Sequence, residues 1–350
     1  MGFDIYKNDL IRKRVVSDSH INLVNSKMVF EKIFDIPVIV MACNIRIKHV
    51  VPGIMKAAEE LNSIMCFELA KSEGHIDGGY TGQTPQIFAD MLLDYADKYK
   101  FTMPFFIHGD HITVKDTTDK SIEDARKLIE AELQAGYTSY AIDASFNHIP
   151  QNIKITTDLA RPIIEAGFGL ETEVGEVKST GMNASLTTVD EAVTYVEGLK
   201  DNNVHPQLLA INNGSKHGNY NPDEEVHIDL ERTDEIYQAI KKHNMAIAQH
   251  GITGTPLNLT GQFADHGIRK GNVGTHWQNV AHKHLPGDLM DAMTKWAEEN
   301  GQNIKKAAKQ FKDDIDSIDS KYSEAIAEEA YKSAKEYINA FRSKDSAELL

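Results

Sequence analysis

The chain has 350 residues, 41% hydrophobic and 25% charged, with a formal net charge of -15 at pH 7. That length suits two average domains or one large α/β barrel, and the acidic balance argues against a nucleic-acid-binding surface, which needs a basic face. A phosphorylated ligand stays compatible with it, because backbone N–H groups and a few cations can hold phosphate inside an acidic protein.

The first residues, Met1-Gly2-Phe3-Asp4-Ile5-Tyr6-Lys7, lack a charged segment followed by an apolar one and do not read as a secretory signal. No apolar stretch approaches the roughly 20 residues that span a bilayer. Cys43 and Cys66 both fall in strand-like apolar runs and read as buried thiols in a reducing cytoplasm, with a disulfide as the lesser alternative.

Along the chain, short apolar runs alternate with amphipathic stretches. Strands are expected near 37–43, 64–69, 104–110, 139–145, 169–175, 207–212, 245–251 and 268–274. Helical patterns lie between them, for example from Ile54 to Leu61, Ile122 to Gln134, Val189 to Leu199 and Thr233 to His243. Connections carry Gly, Pro and Asn, as in Gly74 to Pro85 and Asn219 to Pro222. Eight strands alternating with helices predict an α/β fold with a parallel sheet, and eight is the number that closes a TIM (β/α)8 barrel. A doubly wound open sheet should carry a glycine loop after its first strand, but here that strand leads into Asn44-Ile45-Arg46-Ile47-Lys48. The barrel is therefore assigned to residues 1–288. From about Leu289 the chain turns Ala-, Lys- and Glu-rich, so 289–350 reads as a helical extension, with few breakers in 289–299 and 303–343. It packs on the barrel or contributes to a subunit interface.

Three histidines follow such apolar runs: His111 in Phe105-Phe106-Ile107-His108-Gly109-Asp110-His111, His217 in Asn212-Asn213-Gly214-Ser215-Lys216-His217-Gly218, and His250 in Met245-Ala246-Ile247-Ala248-Gln249-His250-Gly251. Each lies at or just beyond an expected strand end, where a barrel keeps its active site. Three neutral imidazoles would leave a tetrahedral zinc ion one open position for water or a substrate carbonyl. Any one alone reads more readily as a hydrogen-bonded structural histidine. His108 should face the same side but deeper, as a support for the site or as packing. Asp110 could exchange a proton with a substrate oxygen, or could only orient a ligating histidine. Glu171 and Glu173 share one face of the fifth strand, where inward charges need a metal or a lysine. The glycines in His217-Gly218 and Gly251-Ile252-Thr253-Gly254 suit close approach to a phosphate, or only a tight turn.

These residues resemble the class II, zinc-dependent fructose-bisphosphate and tagatose-bisphosphate aldolases, over about residues 37–280. The resemblance is carried, in matching order, by His108-Gly109-Asp110-His111, Ala141-Ile142-Asp143-Ala144-Ser145, Glu171-Thr172-Glu173-Val174-Gly175, Gly214-Ser215-Lys216-His217-Gly218, His250-Gly251-Ile252-Thr253-Gly254 and Asn272-Val273-Gly274-Thr275. Asn44 resembles the family's substrate-contacting asparagine. The resemblance implies zinc on His111, His217 and His250, with Glu173 as ligand at a second, inward metal position. It implies Asp110 as acid/base, and substrate or phosphate contacts at Asn44, Gly218, Gly251, Thr253, Gly254, Asn272 and Thr275. A monovalent cation can accompany the phosphate in such enzymes. The implied activity is that of a lyase of carbohydrate metabolism, including glycolysis, which cleaves a phosphorylated ketose into a dihydroxyacetone-phosphate-like ketone and an aldehyde. A cytoplasmic homodimer or larger assembly is expected, with a sugar phosphate as partner and neither nucleic acid nor membrane.

The sequence also departs from the family. The loop after the fifth strand reads Glu176-Val177-Lys178-Ser179-Thr180-Gly181-Met182-Asn183, so the acidic residue that moves the proton on carbon has only Glu176 as a candidate, by proximity. The family's phosphate-site lysine is replaced by Asn221 or its neighbours, and an aspartate expected after Asn272 is Gly274. An aldolase or epimerase for an unusual sugar phosphate is therefore an alternative. Finally, Gly78-Gly79-Tyr80-Thr81-Gly82-Gln83-Thr84-Pro85 resembles a motif of the non-catalytic subunits associated with tagatose-bisphosphate aldolases. That implies, as a further alternative, a chaperone-like partner subunit.

Overall fold

In the computed structural model, which describes residues 3–15, 19–175, 185–220 and 226–350, eight parallel strands close into a barrel in the order β1 to β8. They are β1 Val40–Asn44, β2 Met65–Ala70, β3 Phe105–Thr113, β4 Ser139–Asp143, β5 Gly169–Val174, β6 Leu208–Ile211, β7 Ala246–Gln249 and β8 Ile268–Val273. β1 closes the ring against β8, with Val40 opposite Lys270 and Ala42 opposite Asn272. Nearly every strand residue is buried, because one face meets the barrel interior and the other the helix layer. That double burial explains why the strands read as apolar runs rather than as alternating patterns. The expected strands are all present with ends shifted by a few residues, and this is the TIM barrel predicted above.

β3 departs most from a regular strand. Its pairing with β4 slips between Gly109 and Ile112, and His111 sits at φ 42°, a left-handed conformation unusual for a non-glycine residue. The bulge lengthens β3 to Thr113, which pairs with Asp143. It also breaks the strict alternation that would have turned neighbouring residues 110 and 111 to opposite faces. At Gly109 a Cβ would lie 2.2 Å from Oε2 of the buried Glu132, so a larger residue there would have to displace that carboxyl group.

Helices with side-chain caps follow several strands. Thr84 caps Pro85–Lys98, Thr118 caps Asp119–Ala135, and Thr188 with Glu191 forms a capping box on Val189–Asp201. The glycine-rich stretch 78–85 is thus the turn that leads into a capped helix, with Gly78, Gly79 and Gly82 all at positive φ. The 303–343 run is less continuous than its composition predicts. It divides into Ile304–Lys306, Ala307–Gln310, Lys312–Asp316 and the long helix Ser320–Ala340. The interruption falls at Ser317-Ile318-Asp319, where the Ser317 hydroxyl donates back to the Asp313 carbonyl at 2.7 Å. A serine hydroxyl competes locally for backbone groups in this way, which favours helix ends.

The last helix lies along the barrel helix Val51–Glu60, and the two backbones touch at Gly53. Beyond it, the Phe341 carbonyl accepts from Ile39 N–H at 3.0 Å, and Asp345 and Ala347 donate to the carbonyls of Leu61 and Asn62. Among the described residues, no helix is long and apolar enough to cross a membrane.

Candidate active site

A cavity of about 1090 Å³ opens at the C-terminal ends of the strands, lined by residues from every side of the barrel. It brings together Asn44, Asp110, His111, Glu173, His217, Gly218, His250, Gly251, Thr253, Asn272 and Thr275. Gly254 is not among its lining residues. It occupies a turn at φ 86° against the Tyr220 ring. Glu176 and Asn221 lie outside the described residues.

The bulge in β3 lets both Asp110 and His111 face the cavity. The His111 ring centroid lies 5.1 Å from that of His217 and 4.3 Å from that of His250, with 6.1 Å between the latter two. Ligand atoms of Asp110, His111 and His250 lie within 4.8 Å of one another, and those of His111, Asp143 and Glu173 form a second such set. The His217 nitrogens belong to neither set, although its ring stands in the group.

In two of the rings a carboxylate engages one nitrogen and the other is left without a partner among the described residues. His250 Nε2 lies 2.7 Å from Glu171 Oε1, while its Nδ1 is buried and unpartnered among the described residues. His111 Nδ1 lies 3.3 Å from Glu173 and 3.4 Å from Asp143, while its Nε2 is likewise buried and unpartnered. Two orphaned imidazole nitrogens on neighbouring rings beside a carboxylate fit a divalent cation that prefers N and O donors, with Glu171 holding the other nitrogen of His250 and the cavity carboxylates Asp143 and Glu173 beside the other nitrogen of His111.

Asp110 is buried and accepts from Asn44 Nδ2 and Asn272 Nδ2, both at 3.0 Å. Burial alone would raise its pKa, but His111, Lys270 and His250 override that and hold the carboxyl well below the usual range. For His111, burial favours the neutral ring, yet the charges of Asp110 and Glu173 dominate and raise it well above an ordinary histidine. His217 moves the other way, lowered to about 3 by burial and by the neighbouring His111 and His250. Burial and the adjacent Asp143 raise Glu173.

Several contributors were not singled out from the sequence. Glu73, after β2, accepts from Asn44 Nδ2 at 3.1 Å, Arg46 Nε at 2.7 Å, Tyr80 OH at 3.1 Å and the Ala70 N–H at 3.0 Å. It thereby joins the rim of the cavity to the Asn44–Asp110 pair. The tail adds Lys305, which lines the cavity and whose pKa is lowered by burial and by nearby Arg46. Below the mouth, Lys270 is fully buried among Glu68, Glu171, His108 and Asn272. The sequence signal for Lys270 was a charge inside an otherwise strand-like segment, Ile268-Arg269-Lys270-Gly271-Asn272-Val273.

Fold and site together define a (β/α)8 barrel with a histidine–carboxylate cluster at the catalytic end of its strands. Residues 24–346 match the family described as fructose-bisphosphate aldolase class-II. The chain belongs to that family. A fructose-bisphosphate aldolase of Helicobacter pylori is 27% identical over 222 residues, covering 61% of this chain and 64% of that protein. One from Streptococcus pneumoniae is 25% identical over 230 residues, covering 65% of this chain and 70% of the relative. The matched region thus spans about two thirds of these relatives' lengths. Among solved structures, the YdjI aldolase from Escherichia coli K12 superposes with a TM-score of 0.66 at 18% identity, covering 93% of this chain and 99% of that one.

Proposed function

We propose that this protein is a metal-dependent aldolase that reversibly cleaves a phosphorylated ketose, such as fructose or tagatose bisphosphate, into a dihydroxyacetone-phosphate-like ketone and an aldehyde. The observation that carries this reading is Asp110, held by two asparagine amides beside the orphaned nitrogens of His111 and His250. His111, His217 and His250 would hold zinc, with Glu173 available at an inward position. Bound there, zinc would supply a Lewis acid for the ketose carbonyl.

The remaining steps belong to the chain's own groups. Asp110, kept ionised, takes the proton from the hydroxyl next to the breaking C–C bond and returns it in the condensation direction. Asn44 and Asn272 hold that carboxylate in place. Gly218, Gly251, Thr253 and Thr275 line the wall where backbone N–H and hydroxyl groups suit a phosphate, and Arg46 and Lys305 supply cations on the β1 side. Glu176 stays the candidate for moving the proton on carbon. We expect a homodimer or larger assembly, which light scattering measures.

The test pairs metal content with a cleavage assay. About one zinc per chain and chelator-sensitive cleavage of fructose or tagatose bisphosphate is the expected result. Zinc without cleavage would redirect the substrate search to other ketose phosphates. Neither zinc nor cleavage would overturn the reading in favour of a non-catalytic subunit.

A further inference from the structure

Beneath the cavity floor, the Lys270 ammonium lies 3.1 Å from Glu68 Oε2, 3.0 Å from Glu171 Oε2, 2.9 Å from Asn272 Oδ1 and 3.2 Å from His108 Nε2. Lys270, Glu68 and His108 are fully buried and Glu171 nearly so. Taking an ammonium and two carboxyl groups out of water costs several kcal/mol per ion, and an apolar filling of equal volume is often no less stable. Stability alone therefore does not account for this cluster. Its connections upward do.

We propose that Lys270 and Glu171 are positioning residues: the ammonium turns the Asn272 amide so that it donates to Asp110, and the carboxylate selects the His250 tautomer that presents Nδ1 to the cavity. This rests on the roles of Asp110 and His250 read above.

An asparagine amide can point either way, with oxygen accepting or nitrogen donating. An ammonium has no acceptor, so Lys270 takes the oxygen of Asn272 and leaves Nδ2 for Asp110 Oδ1, 3.0 Å away. A flipped Asn272 would set two donors face to face below and oxygen against carboxylate above. On the second branch, Glu171 Oε1 sits 2.7 Å from His250 Nε2. An ionised carboxylate only accepts, so Nε2 carries the proton and Nδ1 keeps its lone pair. The Lys270 ammonium lies 3.0 Å from the other oxygen, Oε2, so the Glu171 carboxyl is held between an ammonium and the His250 ring with Oε1 turned to Nε2. One buried cation thus orients a proton-transfer group and a metal-ligand group through two separate links.

The experiment is nitrogen NMR of the metal-free protein with 15N-labelled histidine, with His250 assigned by substitution, alongside zinc titration. Wild type should show His250 with Nε2 protonated and Nδ1 bare. Glu171→Gln, close to isosteric, should mix or reverse the tautomers and weaken zinc binding about 10–100-fold, the scale for losing a carboxylate behind a ligating histidine. Lys270→Met should shift the same signals. A folded Glu171→Gln protein with wild-type His250 signals and zinc affinity would overturn the proposal, and it decides alone if Lys270→Met does not fold. If the tautomer shifts but the wild-type protein cleaves no ketose phosphate, the positioning stands and the aldolase reading falls.

Discussion

At the residue scale, the proposed function gives Asp110 and His217 separable tasks. Asp110→Ala removes the proton acceptor but no histidine, so bound zinc should persist while turnover falls about 10²-fold or more. His217→Ala removes an imidazole from the ring group and should lose zinc and cleavage together. Metal analysis beside steady-state kinetics checks both, and normal turnover in Asp110→Ala would exclude its assigned role. The sequence disclosed these residues because each follows an apolar run, which marks a strand end. It did not disclose Glu73, which follows β2 by three residues and becomes relevant only once Asn44 and Arg46 are brought beside it. The direction of His111 was equally hidden, since the bulge at its position depends on pairing with β4 rather than on local pattern.

At the element scale, alternation alone identified eight strands, because burial on both faces leaves a continuous apolar signature. The broken tail was harder to read, since Ser317 acts through an individual backbone contact that composition averages away. The join between the last helix and Val51–Glu60 is a backbone contact at Gly53, where a Cβ would lie 1.9 Å from the Ala327 carbonyl oxygen and 2.7 Å from Tyr331 N. In an isolated helix, Gly→Ala gains roughly 1 kcal/mol. Here the clash is with main chain, which cannot swing aside, so Gly53→Ala should lower stability by about 1–3 kcal/mol. A lower urea midpoint at unchanged m-value is the expected outcome, and a higher midpoint would show that the two helices separate freely.

At the scale of the whole molecule, acid sensitivity follows from buried or partly buried histidines away from the cluster whose pKa is lowered. Burial lowers His49 and His276, and burial with nearby Arg46 lowers His282 to about 4. An unfolded histidine titrates near 6.5, so between about 4 and 6.5 the unfolded chain binds more protons than the folded one. The contribution of these groups is therefore complete above pH 6.5 and is lost as pH falls through that window. Tm should be lower at pH 5 than at pH 7.5, and His282→Asn should flatten the difference. An unchanged slope in that variant would remove His282 from the account.

The contact between the tail and the start of the barrel also governs folding time. Phe341 receives the amide of Ile39, immediately before β1, and the helix preceding Phe341 shelters the helix that follows β1. These partners are separated by almost the whole chain. Their pairing carries a large loop-closure entropy and a high contact order, both of which slow folding. Refolding should therefore end in a slow phase in which the tail docks, and the earliest strand in the sequence is among the last to be covered.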